Sequence, residues 1–306
     1  MTPPVLELKE LTRSFGGTTA LAGLGICLEA GDMLGLIGPD AAGKTTAMRI
    51  ACGLLKPDSG QARVLGHDCV TQAAAIRPLL GYMPQRFSLY PDLSVDENLR
   101  FFSELHGIPA ALRRVRRERL LAFGRLEPYT RRRAGDLSGG MKQKLALACT
   151  LIHEPRLLIL DEPTTGVDPV SRQEFWALLS DLSRGGMALW VSTPYMDEAA
   201  RCDRVQLLHQ GRVIAEGAPA EIAATFPRRL INLPGGAAKR LERRFAGIQG
   251  VDARRFGNDL RLVCDTEGQE RDLRRLAEAE GLVAESCAPG LEDAFFALVE
   301  RAGSRA

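Results

Sequence analysis

The sequence lacks the marks of several large protein classes. Seven cysteines occur among the 306 residues, yet no two form a CxxC pair, which disfavours a structural zinc site or a disulfide framework. We therefore expect free, buried thiols, with Cys27, Cys52 and Cys149 in apolar surroundings. No apolar run approaches the roughly 20 residues that span a bilayer, so we expect any membrane role to come through a partner.

A signal peptide and a strong charge of one sign are also missing. The amino-terminal stretch MTPPVLELKE contains acids and no apolar centre, unlike a secretory signal. The 40 basic and 38 acidic side chains leave a net charge of +2, so we expect no nucleic-acid partner. These features predict a cytoplasmic protein.

Arginines are nevertheless clustered in LRRVRRERLL (112–121) and RRR (131–133). Such clusters are typical of a solvated helix face. Two sharper interpretations are an acidic protein partner and phospholipid headgroups at a membrane surface. All three stay open at this point.

Strand and helix patterns alternate along the first 225 residues. Residues 31–39 read as a buried strand that runs into a Gly/Pro turn, and residues 44–55 read as the helix that follows it. The stretch PRLLILDEP (155–163) is typical of a central parallel strand that is buried on both faces. Residues 205–217 predict a hairpin. The alternation predicts an α/β fold with a mostly parallel sheet wrapped by helices.

The composition changes after about residue 225, where FPRRLINLPGGAA has the prolines and glycines of a linker. Alternating helix and strand patterns follow it. We therefore predict two domains, residues 1–225 and a small α+β domain at 226–306.

A phosphate-binding loop is predicted where strand passes into helix. The stretch GPDAAGKT matches G-x-x-x-x-G-K-[ST] and sits between a buried strand and a helix. Backbone N–H groups of such a loop cradle phosphate oxygens, while the lysine contacts the β- and γ-phosphates and the threonine holds Mg²⁺. The predicted nucleotide-binding residues of this loop are Gly38, Pro39, Asp40, Ala41, Ala42, Gly43, Lys44, Thr45 and Thr46.

A pair of acids ends the apolar strand LLILDE. Beside a phosphate loop, Asp161 is expected to hold Mg²⁺ and Glu162 to polarise the water that attacks the phosphate. Acids at a strand end also occur as simple turn chemistry, but the phosphate loop makes that alternative weaker. The sequence thus predicts a nucleotide site with Mg²⁺.

The stretch LSGGMKQ (137–143), placed before a helix and ahead of the acid-ended strand, completes a set of three motifs. With them, residues of about 5–220 closely resemble the ATP-binding subunits of ABC transporters. The resemblance implies a P-loop NTPase fold with an antiparallel β edge and a helical subdomain at about 86–150. It also implies that Ser138, Gly139, Gly140 and Gln143 act on ATP bound by a second subunit, so that two chains sandwich the nucleotide.

Further residues match the family in order along the chain. The resemblance implies that Phe15 stacks on adenine, that Gln85 senses Mg²⁺ and takes part in catalysis with Glu162, and that Asp168 communicates across the dimer. An ordinary core position is the alternative for Phe15. SLYPDLSVDENL (88–99) and GLEDAFFALV (290–299) resemble the ABC-2 subgroup of drug, polysaccharide or lipid exporters. This implies transmembrane permease partners and a position on the inner face of the cell membrane.

Three positions depart from the family pattern. Asp40 stands where asparagine is usual and puts an extra carboxylate near the phosphates. Ala41 stands where glycine is usual, so a positive φ there would be strained. Pro194, expected to open a helix in STPYMDEAA, replaces a histidine that bonds the γ-phosphate, and the loss of one such contact costs roughly 10²–10³ in rate.

These departures lead to a specific expectation for the assembly. The chain is expected to bind ATP, to hydrolyse it slowly, and to complete the active site of a different subunit in an asymmetric heterodimer. A symmetric homodimer, in which Tyr195 or water replaces the lost contact, is the alternative. A soluble ABC ATPase and a regulatory subunit with little hydrolysis are the alternative functions.

Overall fold

The computed structural model describes residues 3–86, 89–235, 238–256 and 258–303. The chain divides into two compact units between Pro219 and Ala220, whereas the sequence places the boundary after residue 225. The assignment of 1–225 and 226–306 as domains stays a prediction. Residues 87 and 88 of the predicted helical subdomain, and residues 236 and 237 of the predicted linker, lie outside the described residues.

The first unit contains strands and helices in alternation. Its strands are Leu6–Phe15 (β1), Thr18–Leu28 (β2), Met33–Ile37 (β3), Ser59–Val64 (β4), His67–Asp68 (β5), Leu80–Met83 (β6), Leu157–Asp161 (β7), Ala188–Thr193 (β8), Arg204–His209 (β9) and Arg212–Gly217 (β10). Its helices are Lys44–Ala51 (α1), Ala73–Ile76 (α2), Val95–Leu105 (α3), Ala110–Gly124 (α4), Gly139–Leu151 (α5), Pro169–Arg184 (α6) and Met196–Ala199 (α7), and Pro219–Ala224 (α8) spans the division between the units.

Two sheets form the framework of this unit. The larger has the order β10-β9-β3-β8-β7-β6, with parallel pairing from β9 to β6 and an antiparallel β10. Every residue of β3, β7 and β8 is buried, as expected for parallel strands covered by helices. The smaller sheet, β2-β1-β4-β5, is antiparallel. The predicted α/β fold with a mostly parallel sheet and an antiparallel edge is confirmed.

The strand register brings the three predicted motifs to one edge of the larger sheet. Ile37 at the end of β3 pairs with Thr193 at the end of β8. Asp161 at the end of β7 pairs with Ser192 on the other side of β8. Because parallel strands end at the same edge, the loops that follow β3, β7 and β8 lie side by side.

Helices α3, α4 and α5 lie between β6 and β7 in the chain. A capping box begins α3: the Ser94 hydroxyl accepts from the N–H of Glu97, and the Glu97 carboxylate accepts from the N–H of Ser94. Asn98 on α3 is fully buried and donates to the carbonyls of Tyr90 and Leu93. These bonds fix the segment that leads from β6 into the helices.

The clustered arginines of α4 are engaged with acids of the same unit. Arg117 pairs with Asp96, and Arg113 pairs with Glu104 at 2.6 Å. Arg116 and Arg119 both pair with Glu154, at 2.5 and 2.6 Å. These pairs favour the solvated helix face over a lipid-binding or acidic-partner surface.

The cysteines are free, as expected, but one of the three expected positions is wrong. Cys52 and Cys149 are buried, whereas Cys27 is exposed. Cys27 lies between the buried Ile26 and Leu28 on β2, and alternate residues of a strand point to opposite faces. Among the described residues, no helix combines the length and apolar character needed to cross a membrane.

The second unit is a small α+β sandwich. Its elements are Arg229–Leu233 (β11), Ala238–Ala246 (α9), Asp252–Phe256 (β12), Asp259–Cys264 (β13), Glu267–Ala279 (α10), Glu285–Ser286 (β14) and Leu291–Gly303 (α11). The sheet order is β12-β13-β11-β14, all antiparallel. The order of elements from β11 to β14 is β-α-β-β-α-β, as in ferredoxin-like folds. Its core contains Ile231, Phe245, Leu262 and Leu273.

Helix α11 covers the face of this sheet opposite that core. Arg261 alternates with the core residues Leu260 and Leu262 on β13 and pairs with Asp293 of α11 at 2.9 Å. Arg254 on β12 lies over the ring of Phe296 at 4.8 Å. The GLEDAFFALV stretch therefore packs as a third layer of the second unit.

A stacked histidine pair in the first unit makes its stability sensitive to acid. The rings of His106, at the end of α3, and His153, after α5, are parallel with centroids 3.9 Å apart. One ring nitrogen of His153 lies 3.1 Å from the carbonyl oxygen of Leu80. Burial, and then the neighbouring His106, lower the pKa of His153 from 6.5 to about 4. The unfolded chain thus binds more protons between these two pH values, so folding stability falls as the pH drops below 6.5.

Replacing His153 should reduce this acid sensitivity. Between pH 7.5 and 5.0, we expect the free energy of unfolding of the wild type to fall by about 1 kcal/mol more than that of His153→Phe, after discounting for partial exposure. Urea unfolding at the two pH values measures the difference. Comparison at pH 7.5 and 8.5 is the control, because His153 is neutral in the folded chain at both. Equal losses in the two proteins at pH 5.0 would contradict the prediction.

Candidate functional site

The predicted phosphate loop lines a cleft of about 440 Å³. The loop runs from the end of β3 to the start of α1, which begins at Lys44. Gly43 has a φ of 110°, and a Cβ there would lie 2.3 Å from the carbonyl oxygen of Ala20, so only glycine fits. The cleft is lined by Phe15, Thr18, Thr19, Ala20, Asp40, Ala41, Ala42, Gly43, Lys44, Thr45, Thr46, Gln85 and Glu162.

Lys44 is the buried cation of this cleft. Its side chain is 4% exposed. The ammonium donates to the carbonyls of Gly38 at 2.8 Å and Pro39 at 3.1 Å and pairs with Glu162 at 3.0 Å. A buried charge needs such partners to offset its lost hydration. The ammonium is thus held at the start of the loop, where phosphate oxygens can replace the Glu162 carboxylate.

Glu162 is engaged on both carboxylate oxygens. Oε1 faces Lys44, while Oε2 accepts from the Gln85 amide at 3.0 Å and from the Thr165 hydroxyl at 3.4 Å. Its backbone has a φ of 48°, which is strained for a residue with a Cβ. Strain of this kind persists where surrounding contacts over-determine a residue. Here the backbone N–H of Glu162 donates to the Ser192 hydroxyl at 2.9 Å.

Asp161 offers a carboxylate oxygen suited to a metal ion. The residue is 1% exposed, and its Oδ1 accepts from the Ser192 hydroxyl at 2.7 Å. Its Oδ2 is buried with no hydrogen-bond partner among the described residues. Mg²⁺ prefers oxygen ligands and is held by one or two carboxylates together with substrate phosphates. The orphaned oxygen, with the hydroxyl of Thr45 in the adjacent cleft, fits Mg²⁺.

Phe15 lies at the mouth of the cleft. Its ring is 45% exposed, which is unlike an ordinary core position. The Arg13 guanidinium lies over the ring at 4.7 Å from the centroid. An exposed aromatic face at the edge of a nucleotide-sized cleft can stack on a base.

The predicted signature residues lie at the start of α5, and none of them lines the cleft. Ser138 caps this helix by accepting from the N–H of Met141 at 3.3 Å. A Cβ on Gly140 would lie 2.3 Å from the side chain of Ser171, so α5 and α6 are packed closely there. Gln143 shares a second depression with Gln85.

Asp168 caps α6, the helix that packs on α5 at Gly140. Its carboxylate accepts from the N–H of Ser171 at 2.9 Å, and Pro169 occupies the first helical position. The Ser171 N–H lowers the pKa of Asp168. Capping alone explains an aspartate here, and its exposure leaves it open to a further contact.

The sequence prediction for Pro194 is wrong in one respect. The helix begins at Met196, two residues later than expected, with Tyr195 as its extended N-cap residue. The N–H of Tyr195 donates to the Thr193 hydroxyl at 3.1 Å, and this bond holds Pro194 in a turn before the helix. Pro194 does not line the cleft.

Sequence reasoning missed two polar residues beside these motifs. Ser192 ends the apolar run of β8 and bonds both acids of the neighbouring strand. Glu198 lies in the first turn of α7 and is only 1% exposed. The serine that follows an apolar run could have indicated Ser192 from the sequence, whereas no sequence pattern indicated that Glu198 is buried.

Comparisons with known proteins agree with this geometry. A family model described as ABC transporter matches residues 21–165. A probable multidrug ABC transporter ATP-binding protein from Escherichia coli (strain K12) is 42% identical over 99% of this chain. A Nod factor export ATP-binding protein I from Rhizobium etli is 36% identical over 97% of this chain and 93% of its own length.

Solved structures show the same architecture. The ATP-binding subunit of an ABC transporter superposes with a TM-score of 0.66 at 31% identity, over 72% of this chain and 93% of that one. A dimeric ATP-binding cassette in a post-hydrolysis state, bound to ADP and Pi, superposes with a TM-score of 0.63 at 26% identity, over 70% of this chain and 98% of that one.

The phosphate loop and the sheet topology define a P-loop NTPase fold. The chain belongs to the family of ABC transporter ATP-binding subunits, which are ABC ATPases. It spans about half the length, 54%, of the multidrug-transporter relatives from Escherichia coli and Shigella flexneri.

Ala41 strains the phosphate loop. Its φ is 63°, a left-handed conformation that costs a residue with a Cβ about 1 kcal/mol or more. We expect Ala41→Gly to raise the free energy of unfolding by about 1 kcal/mol, as measured by urea denaturation.

The neighbouring Ala42 provides the matched control. It is buried, at 3% exposure, and has no positive φ. Ala42→Gly should therefore lower stability by about 0.5–1 kcal/mol. Stabilisation by both glycines, or by neither, would show that backbone strain at Ala41 is not the cause.

Proposed function

We propose that this chain binds and hydrolyses ATP to power a membrane exporter. The observation that carries the proposal is the convergence of Lys44, Glu162 and Gln85 in one cleft, with the unpartnered oxygen of Asp161 beside it. A structural role alone gives no reason for two buried carboxylates and a buried ammonium at the same sheet edge. The names of the relatives, which concern multidrug and Nod factor export, support the exporter assignment.

Each residue of the cleft then has a role. The loop N–H groups and Lys44 bind the β- and γ-phosphates, and Thr45, Asp161 and Gln85 hold Mg²⁺, which neutralises phosphate charge when bound. Glu162 orients the attacking water and accepts its proton. Phe15 stacks on the adenine ring. Phosphate oxygens compete with Glu162 for the Lys44 ammonium, so nucleotide binding itself frees the base.

The remaining motif residues fit a second ATP-binding subunit. Ser138, Gly139 and Gly140 lie at the start of the 13-residue helix α5, where N–H groups and the helix dipole favour an anion. They do not line the chain's own cleft. We propose that they bind the γ-phosphate held by a partner chain, and that Asp168 contacts that chain at the same interface. A dimeric relative of known structure supports this arrangement.

A transmembrane permease is the other proposed partner. An apolar groove of about 620 Å³ opens beside α3. It is lined by residues that follow α1 and by residues of β6 and α5. Leu54 and Leu105 on its rim are 60% and 67% exposed, and Tyr82, Phe102 and the stacked His106 line it. A groove of this kind suits an amphipathic helix. Docking there would place the chain on the inner face of the cell membrane.

We further propose that the chain's own site is slow, which favours a heterodimer with a faster second subunit. Pro194 has no side-chain donor for the γ-phosphate. Tyr195 is a poor substitute, because the Arg172 guanidinium lies over its ring at 4.5 Å and neither residue lines the cleft. The same observation supports, as the second candidate, a regulatory subunit in which ATP acts as a clamp with little hydrolysis.

The Pro194→His variant tests the slow site. We expect the wild type to bind ATP, and the variant to raise kcat by roughly 10²–10³-fold because a γ-phosphate donor is restored. Steady-state Mg-ATPase and equilibrium ATP binding are measured on the purified full chain. Tyr195→His is the matched control and should give no gain. Glu162→Gln, added to Pro194→His, should abolish the gain.

Three results would contradict these proposals. A wild type that turns over as fast as Pro194→His would make a symmetric homodimer the simpler assembly. Absence of hydrolysis in both, with ATP binding intact, would favour the regulatory clamp. Co-sedimentation of the chain with ribosomes rather than with membranes would favour a soluble ABC ATPase instead.

A further inference from the structure

Glu198 on α7 forms a buried polar cluster that the proposed mechanism does not use. The residue is 1% exposed. Its Oε1 accepts from the Thr164 hydroxyl at 2.6 Å, and its Oε2 accepts from the Thr193 hydroxyl. Arg172 Nε lies 3.5 Å from Oε1. A carboxylate is this deeply buried only when charges and donors compensate it, and removal of one partner is then costly.

The cluster joins three segments that border the cleft. Thr164 follows Glu162 by two residues, in the turn after β7. Thr193 ends β8 directly before Pro194, and its hydroxyl also accepts from the N–H of Tyr195. A shift of Glu198 would therefore move the turn that carries Pro194 relative to the turn that carries Glu162.

Arg172 connects this cluster to the helix that Asp168 caps. It lies one turn into α6, where its N–H donates to the carbonyl of Asp168. Its guanidinium pairs with Glu198 and also covers the ring of Tyr195. The turn at Pro194 is thus held by Glu198 through its bond to Thr193 and by Arg172 through its contact with the Tyr195 ring.

We propose that Glu198 is a positioning residue for hydrolysis, which fixes the segment at position 194 relative to Glu162 through its bonds to Thr193 and Thr164. The inference rests on the proposed function, because it assumes that the residue at position 194 faces the γ-phosphate during turnover. Glu198 itself does not line the cleft. Its loss should lower kcat and leave ATP affinity in place, because none of the cluster residues lines the cleft.

Glu198→Gln removes this function with little change in size. A carboxylate accepts from both threonine hydroxyls, whereas an amide has a single acceptor oxygen, so one hydroxyl loses its acceptor and Arg172 loses its buried counter-charge. Asp197→Asn is the matched control, because Asp197 is 76% exposed and its oxygen lies 3.9 Å from Arg172. Thr164→Val is a second variant that removes one donor and leaves the charge.

Two readouts separate positioning from simple support of the fold. In whichever background turns over, wild type or Pro194→His, Glu198→Gln should lower kcat about tenfold and change the ATP dissociation constant less than about twofold. Amide hydrogen exchange should speed up in residues 195–200, which include the Tyr195 N–H, and should stay unchanged in β3. Thr164→Val should also lower kcat and speed up the same exchange. In the double variant with Glu198→Gln, the loss of kcat should be smaller than the product of the two single losses.

The outcomes are distinct from those of the proposed slow site. If the wild type hydrolyses ATP as fast as Pro194→His, the slow site is wrong, yet exchange and turnover of Glu198→Gln still decide the role of Glu198. Unchanged exchange at 195–200 would overturn the inference. Faster exchange with unchanged kcat, parallel losses of kcat and ATP affinity, or an equal effect of Asp197→Asn would also overturn it.

Discussion

Parallel pairing of β3, β8 and β7 is the constraint on which the site depends. It makes the phosphate loop, the acids Asp161 and Glu162, and Pro194 leave the sheet at the same edge. Each loop is short, so the register of the strands sets the spacing of the side chains. Since β3, β7 and β8 are buried along their whole length, a slip in register would expose apolar residues or bury polar ones.

Charge compensation explains most contacts at this edge. Two carboxylates, Asp161 and Glu162, are buried with a single ammonium, that of Lys44. The hydroxyls of Ser192 and Thr165 and the side-chain amide of Gln85 supply the remaining donors. The site therefore sets two carboxylates against one ammonium, which is the physical reason why we propose that a divalent cation accompanies the anionic nucleotide.

Two helix caps position the residues of this chain that we propose to contact a partner chain. Ser138 and Asp168 are the N-cap residues of α5 and α6, and close packing of Gly140 on Ser171 joins the two helix starts. Contacts within this chain therefore set their backbone geometry. Glu198 and Arg172 extend this framework toward the turn at Pro194. Helix α6 therefore connects that turn with the helix starts at Ser138 and Asp168.

The sequence by itself determined the phosphate loop, the acid-ended strand, the mostly parallel sheet and the free cysteines, because these depend on local patterns of glycine, charge and apolar residues. The tertiary structure decided the exposure of Cys27, the late start of α7 after Pro194, the stacking of His106 on His153 and the burial of Glu198. The histidine stacking and the burial of Glu198 depend on residues far apart in the chain. The Thr164–Glu198 bond spans 34 residues and arises only when β7 and β8 lie side by side, so no short stretch of sequence encodes it.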